Sequence, residues 1–433
     1  MFKKHRYLIL FMLTLASIIN YMDRAALSVA MPFISKDLDL NAASIGLILS
    51  SFSIGYALFN VVGGYLSDKI GPNKVFIGSM SLWSLFCGLV AGAFNFWSLY
   101  VVRVIFGMGE GPIGSTANKA VNNWFPIKER ARAVGINQAG GPIGGALSGP
   151  IVGILAVSVG WRLSFVIIAV LGFIWLLFWL KIFKDNPADH PKVSKSELKE
   201  IVEGNTILQS ENNGQGKKLP FLQVIKKPIV FTTGISLFCY NYILFFFLTW
   251  FPIYLVNAKG LNIKEMGFVV AIPWLVGAIG YISGGALMDY IYKITGKALF
   301  SRKIVLVTGL LISAVCIGLT GLVNSIIGTV TVMTIGVGFL YLVASGYWSI
   351  IQDGVESENV GSASGFMHGL GNISGIVAPA VTGFIVQSTD SYVSAFILTG
   401  VLGIIGALII AFFVKNSKTQ TELTEFPSSN AVN

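Results

Sequence analysis

Charged residues are scarce in this chain. Only 12% of its 433 residues are Asp, Glu, Lys or Arg, whereas 54% are hydrophobic and the mean hydropathy is +0.74. A soluble domain carries about a quarter charged residues. A composition this poor in charge excludes a water-facing surface over most of the molecule. It predicts a polytopic membrane protein whose main surroundings are the lipid bilayer.

Cysteine is also rare. Cys87, Cys239 and Cys316 lie far apart in separate apolar runs. That spacing fits neither a disulfide framework nor the closely spaced ligands of a metal site. The chain also lacks the Gly-x-x-x-x-Gly-Lys-Ser/Thr loop that binds nucleotide phosphates in ATPases. We therefore predict no metal, no organic cofactor and no enzymatic activity.

The net charge of +10 comes from lysines and arginines that lie mostly in alternate connecting segments. The opposite set of loops contains only Lys36, Arg162, Lys259 and Lys264. Because basic residues collect on the cytoplasmic side of membrane proteins, both termini are predicted to be cytoplasmic, as in a multi-pass protein of the bacterial inner membrane. The charge orients the chain, and no nucleic-acid partner is needed to explain it.

Twelve apolar runs are long enough to cross about 30 Å of hydrocarbon as helices of roughly 20 residues. They predict an all-α membrane protein with two six-helix halves, at 1–183 and 228–414, a cytoplasmic linker at 184–227 and a cytoplasmic tail at 415–433. A short surface helix is expected near 196–202 of the linker. The runs lie near 7–31, 42–66, 74–93, 97–124, 133–157, 161–183, 228–256, 266–291, 303–322, 326–350, 360–387 and 391–414.

A loop motif recurs six helices apart. Gly64, Asp68 and Gly71 follow the second span, and Asp289 follows the eighth, with Arg302 and Lys303 beyond it. This pattern resembles the loop motif of the major facilitator superfamily. The resemblance implies a cytoplasmic latch in which the aspartate pairs with arginines or with a neighbouring helix end. The alternative is an ordinary tight turn with a capping aspartate.

Glycine is abundant inside the apolar runs. The fifth span carries several between Gly135 and Gly149, and the eleventh carries a similar set between Gly361 and Gly383. Small residues let helices approach closely in lipid, and transporters of this kind work by moving one half against the other. Matching spans of the two halves are therefore predicted to slide or bend, unless these glycines only improve static packing.

Four charged residues stand inside predicted spans, Asp23 and Arg24 in the first and Arg103 and Glu110 in the fourth. A charge at the bilayer centre costs about 2.5–3.5 kcal/mol on insertion scales, so such residues usually line a functional cavity. Arg103, Gly107, Glu110 and Gly114 follow helical spacing and should share one stripe. Arg103 is expected to bind a carboxylate and Glu110 to carry a proton. The alternative for Arg103 is a structural ion pair with Glu110 or Asp23.

The two charged side chains of the first span are expected to point in different directions. Tyr21 lies three residues before Arg24 and should share its face, whereas Asp23 lies about 100° round the helix. We expect Arg24 to face the cavity and Asp23 a neighbouring helix, such as the fourth. His368 is interpreted as a packing or hydrogen-bonding residue rather than a proton carrier. Further polar side chains that could line the cavity are Tyr56, Asn137, Gln138, Tyr240, Asn241, Tyr242, Ser345, Trp348 and Asn372.

Three local motifs together resemble one branch of the superfamily, the anion:cation symporters. They are Asn-Tyr-Met-Asp-Arg at 20–24, the fourth-span stripe from 103 to 111, and Asn-Asn-Trp-Phe-Pro at 122–126. The branch includes permeases for hexuronate, galactonate and glucarate, and transporters of sialic acid and glutamate. The resemblance implies that Arg24 and Arg103 bind the substrate carboxylate and that Asp23 and Glu110 carry protons. Contacts to the sugar acid are implied for Tyr56, Ser345, Trp348 and Asn372.

The functional hypothesis is proton-coupled import of an organic anion, most simply a sugar acid, by a monomeric secondary transporter. Adding an anion to a site with two arginines and two acids favours proton uptake by linkage. Sodium coupling is not excluded by the residues. The alternatives are an exchanger or exporter of organic anions with the same fold and, as a different class, a transporter-like membrane sensor.

Overall fold

The computed structural model describes residues 4–202, 219–355 and 359–414. Within these ranges the side chains of Val61, Asp68, Ile127, Lys128 and Ala131 lie outside the description. The described part is almost entirely helical and contains no strand, which confirms the predicted all-α class. The predicted tail at 415–433 and the middle of the predicted linker, at 203–218, fall outside the described residues.

The first half contains six spans, and the second half repeats this number. The first to sixth spans are His5–Asp37, Ala42–Ile70, Pro72–Leu89, Phe96–Glu110 continued by Ile113–Trp124, Ile127–Ser158 and Trp161–Ile182. The seventh to twelfth are Pro228–Asn257, Ile263–Thr295, Ala298–Thr320, Ile326–Gly354, Val360–Asn372 continued by Ser374–Thr389, and Val393–Phe413. Eleven helical segments of the described residues are long and apolar enough to cross a membrane. The fourth span completes the predicted twelve.

The fourth span is interrupted where the sequence predicted one continuous helix. It ends at Glu110 and resumes at Ile113 after Gly111 and Pro112. Proline lacks a backbone N–H and its ring clashes with the preceding turn, so it bends a helix. The predicted stripe therefore holds from Arg103 to Glu110, and Gly114 lies beyond the bend.

The two halves are in close contact at one end of the bundle, which we call the far side because it is opposite the N-terminus and the linker. A Cβ at Gly46 would lie 2.5 Å from the carbonyl oxygen of Pro379 on the eleventh span. A Cβ at Gly149 would overlap the carbonyl oxygen of Gly267 on the eighth. Ser28 Oγ also donates to Leu248 O at 2.8 Å across the halves. The far side is thus closed by helices whose backbones touch.

The end that carries the N-terminus and the linker, here the linker side, is open. Glycines on this side of the fourth, fifth and eleventh spans are exposed, and a Cβ on them would meet nothing within 4 Å. These are Gly114, Gly135, Gly365 and Gly369. Glycines at the contact between the halves thus pack tightly at the far side, whereas these four border open space at the linker side, so the cavity between the halves opens toward the linker side.

The start of the linker is bound to the first half. Residues 195–202 form a helix, close to the predicted surface helix. Glu197 accepts hydrogen bonds from the backbone N–H groups of His5 and Arg6, both at 3.0 Å, and so satisfies donors at the first turn of the first span. Arg6 is 1% exposed and pairs with Glu129 and with Glu200.

Two stacked imidazole rings stabilise the contact between the linker and the first half. The ring of His190 stacks on that of His5 at 4.0 Å, beside Trp124, and is 6% exposed. Its Nδ1 accepts the backbone N–H of Lys192 at 3.2 Å, which requires a neutral ring. Burial lowers the pKa of His190, and the charges of His5, Lys192 and Lys184 lower it further.

Acidification is expected to loosen the docked linker. Because the docked state binds fewer protons than the undocked one, docking is fully stable above the ordinary histidine pKa of about 6.5 and weakens as pH falls below it. Hydrogen exchange over residues 187–202, corrected for the intrinsic pH effect, should accelerate between pH 7.5 and pH 5.5. His190→Phe, which keeps a stacked ring, should lose this dependence. Identical protection at both pH values in the unsubstituted protein would contradict the prediction.

The loop after the second span forms a tight turn at Gly71. Gly71 adopts φ +87°, which favours glycine, and a Cβ there would collide with Asp185. Asp185 Oδ1 accepts the N–H of Asn73 at 2.7 Å, at the start of the third span. The side chain of Asp68 lies outside the described residues. In the second copy, Asp289 pairs with Arg302 at 3.1 Å, and Arg302 also lies 3.5 Å from Asp353.

Candidate functional site

A buried ion pair lies between the first and fourth spans. Arg24 Nε donates to Glu110 Oε2 at 2.6 Å, and the two side chains are 10% and 0% exposed. Both groups have left water, so each depends on the other for charge compensation. The pair connects the two spans of the first half that carry charge. Arg24, the more exposed of the two side chains, is the member that borders the cavity.

Aromatic rings surround the Arg24 guanidinium. Its Cζ lies 4.4 Å from the ring centre of Tyr56, 4.9 Å from that of Phe52 and 5.3 Å from that of Tyr21. A cation over an aromatic face is stabilised by the ring quadrupole. The rings hold the guanidinium in place while Glu110 occupies only one side of it.

Arg103 lies close by without an ion-pair partner in the described part of the chain. It is 3% exposed, with Cζ 4.6 Å from the Phe106 ring and 5.2 Å from the Phe52 ring, and its Nε has no hydrogen-bond partner. Among the described residues Arg103 forms no ion pair with Glu110, which is bound by Arg24, or with Asp23, which accepts a hydrogen bond from Trp83. A buried guanidinium with an unmet donor is suited to a carboxylate ligand.

Asp23 faces the third span rather than the fourth. Its Oδ2 accepts a hydrogen bond from Trp83 Nε1 at 3.0 Å, and its other oxygen has no partner. The predicted divergence of Asp23 and Arg24 is correct, but the expected neighbour was wrong, since the rotation of the first span turns this face toward Trp83. Nothing in the pattern of the third span identified Trp83 as that partner.

The second half contributes an uncharged polar wall. Tyr341, Ser345 and Trp348 follow one face of the tenth span, and the Tyr341 hydroxyl and Ser345 Oγ are buried without partners. The Trp348 ring is 40% exposed and its centre lies 5.5 Å from the His368 ring. Asn372 Nδ2 lies 3.2 Å from the His368 ring nitrogens and donates to His368 O at 3.0 Å.

Gln138 is exposed on the fifth span. It lies four and seven residues before Pro142 and Gly145, and Gly145 packs against Trp274 of the second half, so this stripe faces the other half. Tyr21 packs edge-on to the same Trp274 at 6.3 Å. Asn137, in contrast, is buried and accepts a hydrogen bond from Ser17 at 2.9 Å.

Several buried polar atoms of the two walls have no partner within the described residues. Such atoms are rare in folded proteins, and here they occur on both sides of one cavity. A ligand with a carboxylate and several hydroxyls could satisfy them. They are Arg103 Nε in the first half, and Tyr341 OH and Ser345 Oγ in the second.

Sequence reasoning missed two cavity residues. Tyr341 was not singled out, although it lies four residues before Ser345 and seven before Trp348, a spacing that predicts a shared face. Phe52 touches both arginines through its ring, yet a phenylalanine in an apolar run has no distinguishing signal.

Comparison with known proteins agrees with this architecture. The profile of the Major Facilitator Superfamily matches residues 13–377 and 294–429. The chain belongs to the major facilitator superfamily. The predicted fold, two six-helix halves of a multi-pass integral membrane protein, is thereby confirmed, and so is the prediction that the protein is a transporter and not an enzyme.

Its relatives include proteins that are named as sugar-acid transporters. The chain is 48% identical over 417 residues to the hexuronate transporter of Bacillus subtilis (strain 168), covering 96% of both chains. It is 34% identical to the probable galactarate/D-glucarate transporter of Escherichia coli (strain K12), covering 95% of both. A probable L-galactonate transporter of the same strain is 30% identical, with 93% of this chain and 88% of the relative covered. The resemblance drawn from the local motifs is confirmed.

The fold is shared with a distant solved structure. A bacterial homologue of the human lysosomal transporter Spinster superimposes with a TM-score of 0.75 at 18% identity, over 96% of this chain and 97% of that chain. This likeness concerns the helical arrangement only.

Proposed function

We propose that the protein imports a sugar acid together with one or more protons across the bacterial cytoplasmic membrane, by alternating access. The observation that carries the proposal is the buried Arg24–Glu110 pair beside Arg103, whose Nε is unpaired, at the cavity between the halves. The relatives named as hexuronate, galactarate/D-glucarate and L-galactonate transporters support a sugar acid. We assign a monomer as the working unit, because the cavity lies between the two halves of one chain.

The mechanism follows from competition between two carboxylates for Arg24. When the cavity opens to the far side, the substrate carboxylate binds Arg24 and Arg103 and displaces Glu110. A displaced, buried carboxylate is stable only if it takes up a proton. Substrate and proton therefore bind together, as linkage requires. Tyr56, Ser345, Trp348, Asn372, Tyr21 and Gln138 are assigned to the hydroxyls and the carbon face of the sugar acid.

Release reverses these steps on the linker side, which we assign to the cytoplasm together with both termini. Glu110 loses its proton to the open cavity, recovers Arg24 and expels the anion. The described state, open to the linker side with Arg24 and Glu110 paired, fits the stage after release. Asp23, held by Trp83, is assigned to a second proton or to gating. Gly64, Asp68, Gly71 and Asp289 are assigned to the latch that closes the linker side.

Glu110→Gln tests the coupling. A glutamine cannot carry the proton but leaves the two arginines available, so counterflow of labelled sugar acid in proteoliposomes should persist while accumulation driven by a pH gradient is lost. Glu129→Gln, a matched change in the half-exposed carboxylate that pairs with Arg6, should accumulate substrate normally. Normal accumulation by Glu110→Gln would remove the proton role.

The rival transport modes are separated by the same vesicles. Uptake that is unaffected when the pH gradient collapses, but that requires an anion inside the vesicle, would indicate an exchanger. Uptake driven by a sodium gradient would show that sodium, rather than the proton, is the coupling ion. No transport above empty vesicles would favour a membrane sensor.

A further inference from the structure

The two halves of the cavity differ in charge. Asp23, Arg24, Arg103 and Glu110 all lie in the first half. In the described part of the second half, charged residues stand in loops or near helix ends, as Lys264, Asp289, Arg302 and Asp353 do. The one side chain at the middle of these spans that could carry a positive charge is His368.

His368 lies on the eleventh span, in the wall that the second half contributes to the cavity. It is half-buried, flanked by Gly365 and Gly369, at which a Cβ would meet nothing within 4 Å. Its ring leans on Trp348, and the Asn372 amide lies 3.2 Å from the ring nitrogens. Gly375, seven residues further along the eleventh span, packs against Ser53 of the second span, next to Phe52, whose ring contacts both arginines. A ligand held by the arginines at one end therefore meets His368, Trp348 and Asn372 at its other end.

We propose that His368 is the specificity residue for the end of the substrate remote from its carboxylate, so that the site selects monocarboxylate sugar acids over sugar dicarboxylates. This rests on the proposed function. An imidazole both donates and accepts hydrogen bonds, as a hydroxyl or an aldehyde hydrate does. At pH 8, where an imidazole is neutral, a second carboxylate would be desolvated against a wall without a cation, which disfavours dicarboxylates.

Binding to the purified full-length chain tests this directly. Galacturonate and glucuronate are compared with galactarate and glucarate at pH 8, by calorimetry or ligand-induced thermal shift. We expect the hexuronates to bind at least about tenfold more tightly than the dicarboxylates, the ratio that one unmet polar interaction of roughly 1.4 kcal/mol produces. Comparable affinities for the two classes would overturn the proposal.

His368→Arg should supply the missing cation and reduce or invert the preference. Ser364→Arg places the same charge one turn closer to the linker side and should leave the ratio unchanged. If both variants change the ratio equally, or neither does, the role of His368 is refuted. Should His368→Arg fail to fold, His368→Ala serves instead, with hexuronate affinity expected to fall about tenfold; unchanged affinity also refutes it.

Failure of the underlying function looks different. If neither class of sugar acid binds the unsubstituted protein, the proposed function is wrong and this inference falls with it. If both classes bind equally, sugar-acid transport stands and only the assignment of His368 is lost.

Discussion

Replacing Arg24 by glutamine is expected to abolish transport and to destabilise the protein by about 3–5 kcal/mol. Breaking a buried pair leaves Glu110, which is 0% exposed, either charged without compensation or neutral only after it takes up a proton, and both states cost stability. The loss of transport follows because the guanidinium is also the proposed ligand for the substrate carboxylate. Uptake into proteoliposomes and denaturant unfolding in detergent measure the two effects separately.

The double variant Arg24→Gln/Glu110→Gln distinguishes the two roles. With both charges gone, most of the stability should return, because two neutral amides can occupy the site, while transport stays absent. Arg162→Gln is the matched control, since Arg162 pairs with Asp37 at the surface, with both side chains over 40% exposed. Its loss should cost no more than about 1 kcal/mol. A double variant as unstable as the single one would show that the ion pair is not the cause.

Gly149→Leu is expected to stop transport by preventing closure of the far side. The backbones of the fifth and eighth spans touch at Gly149 and Gly267, so a side chain there must separate the halves. Substrate binding and folding should survive, because the site residues are untouched. Gly46→Leu, at the contact of the second span with Pro379 and the eleventh span, should act in the same way.

Incomplete closure of the far side can be measured as a distance between the two halves. Spin labels at the exposed far-side positions Lys36 and Ser388, one in each half, should lie farther apart in Gly149→Leu than in the parent protein. Gly78→Leu is the matched control, because a Cβ at Gly78 meets nothing within 4 Å and the main packing partners of the third span are helices of the first half. An unchanged distance in Gly149→Leu, or active transport by it, would contradict the closure role.

Much of the architecture was readable from the residues because lipid imposes simple rules. Apolar runs of sufficient length must be helices, and basic residues mark one set of loops, so the twelve spans were predicted with small errors at their ends. The interruption at Gly111 and Pro112 was not predicted, although a proline inside a helical run indicates a bend or a break. The separation of Asp23 from Arg24 followed from helical geometry, and the structure has them facing Trp83 and Glu110 respectively.

The pairing of charges could not be read in the same way. In the sequence, Arg24 and Arg103 are equivalent candidates for the partner of Glu110. The packing of the first span against the fourth selects Arg24. The glycines of the fifth and eleventh spans looked alike as well. Only the structure separates Gly149 and Gly383, which make the closed contact, from Gly135 and Gly365, which border open space.

The sequence by itself determined which helices form, where charge enters the membrane and which side chains share a helical face, because these depend on composition and on the 3.6-residue period. Only the tertiary structure decided which arginine pairs with Glu110, which end of the cavity is shut, and that the His368 ring contacts Trp348 of the tenth span. Those features depend on the rotation and approach of helices distant in sequence, and a local pattern contains no information about either.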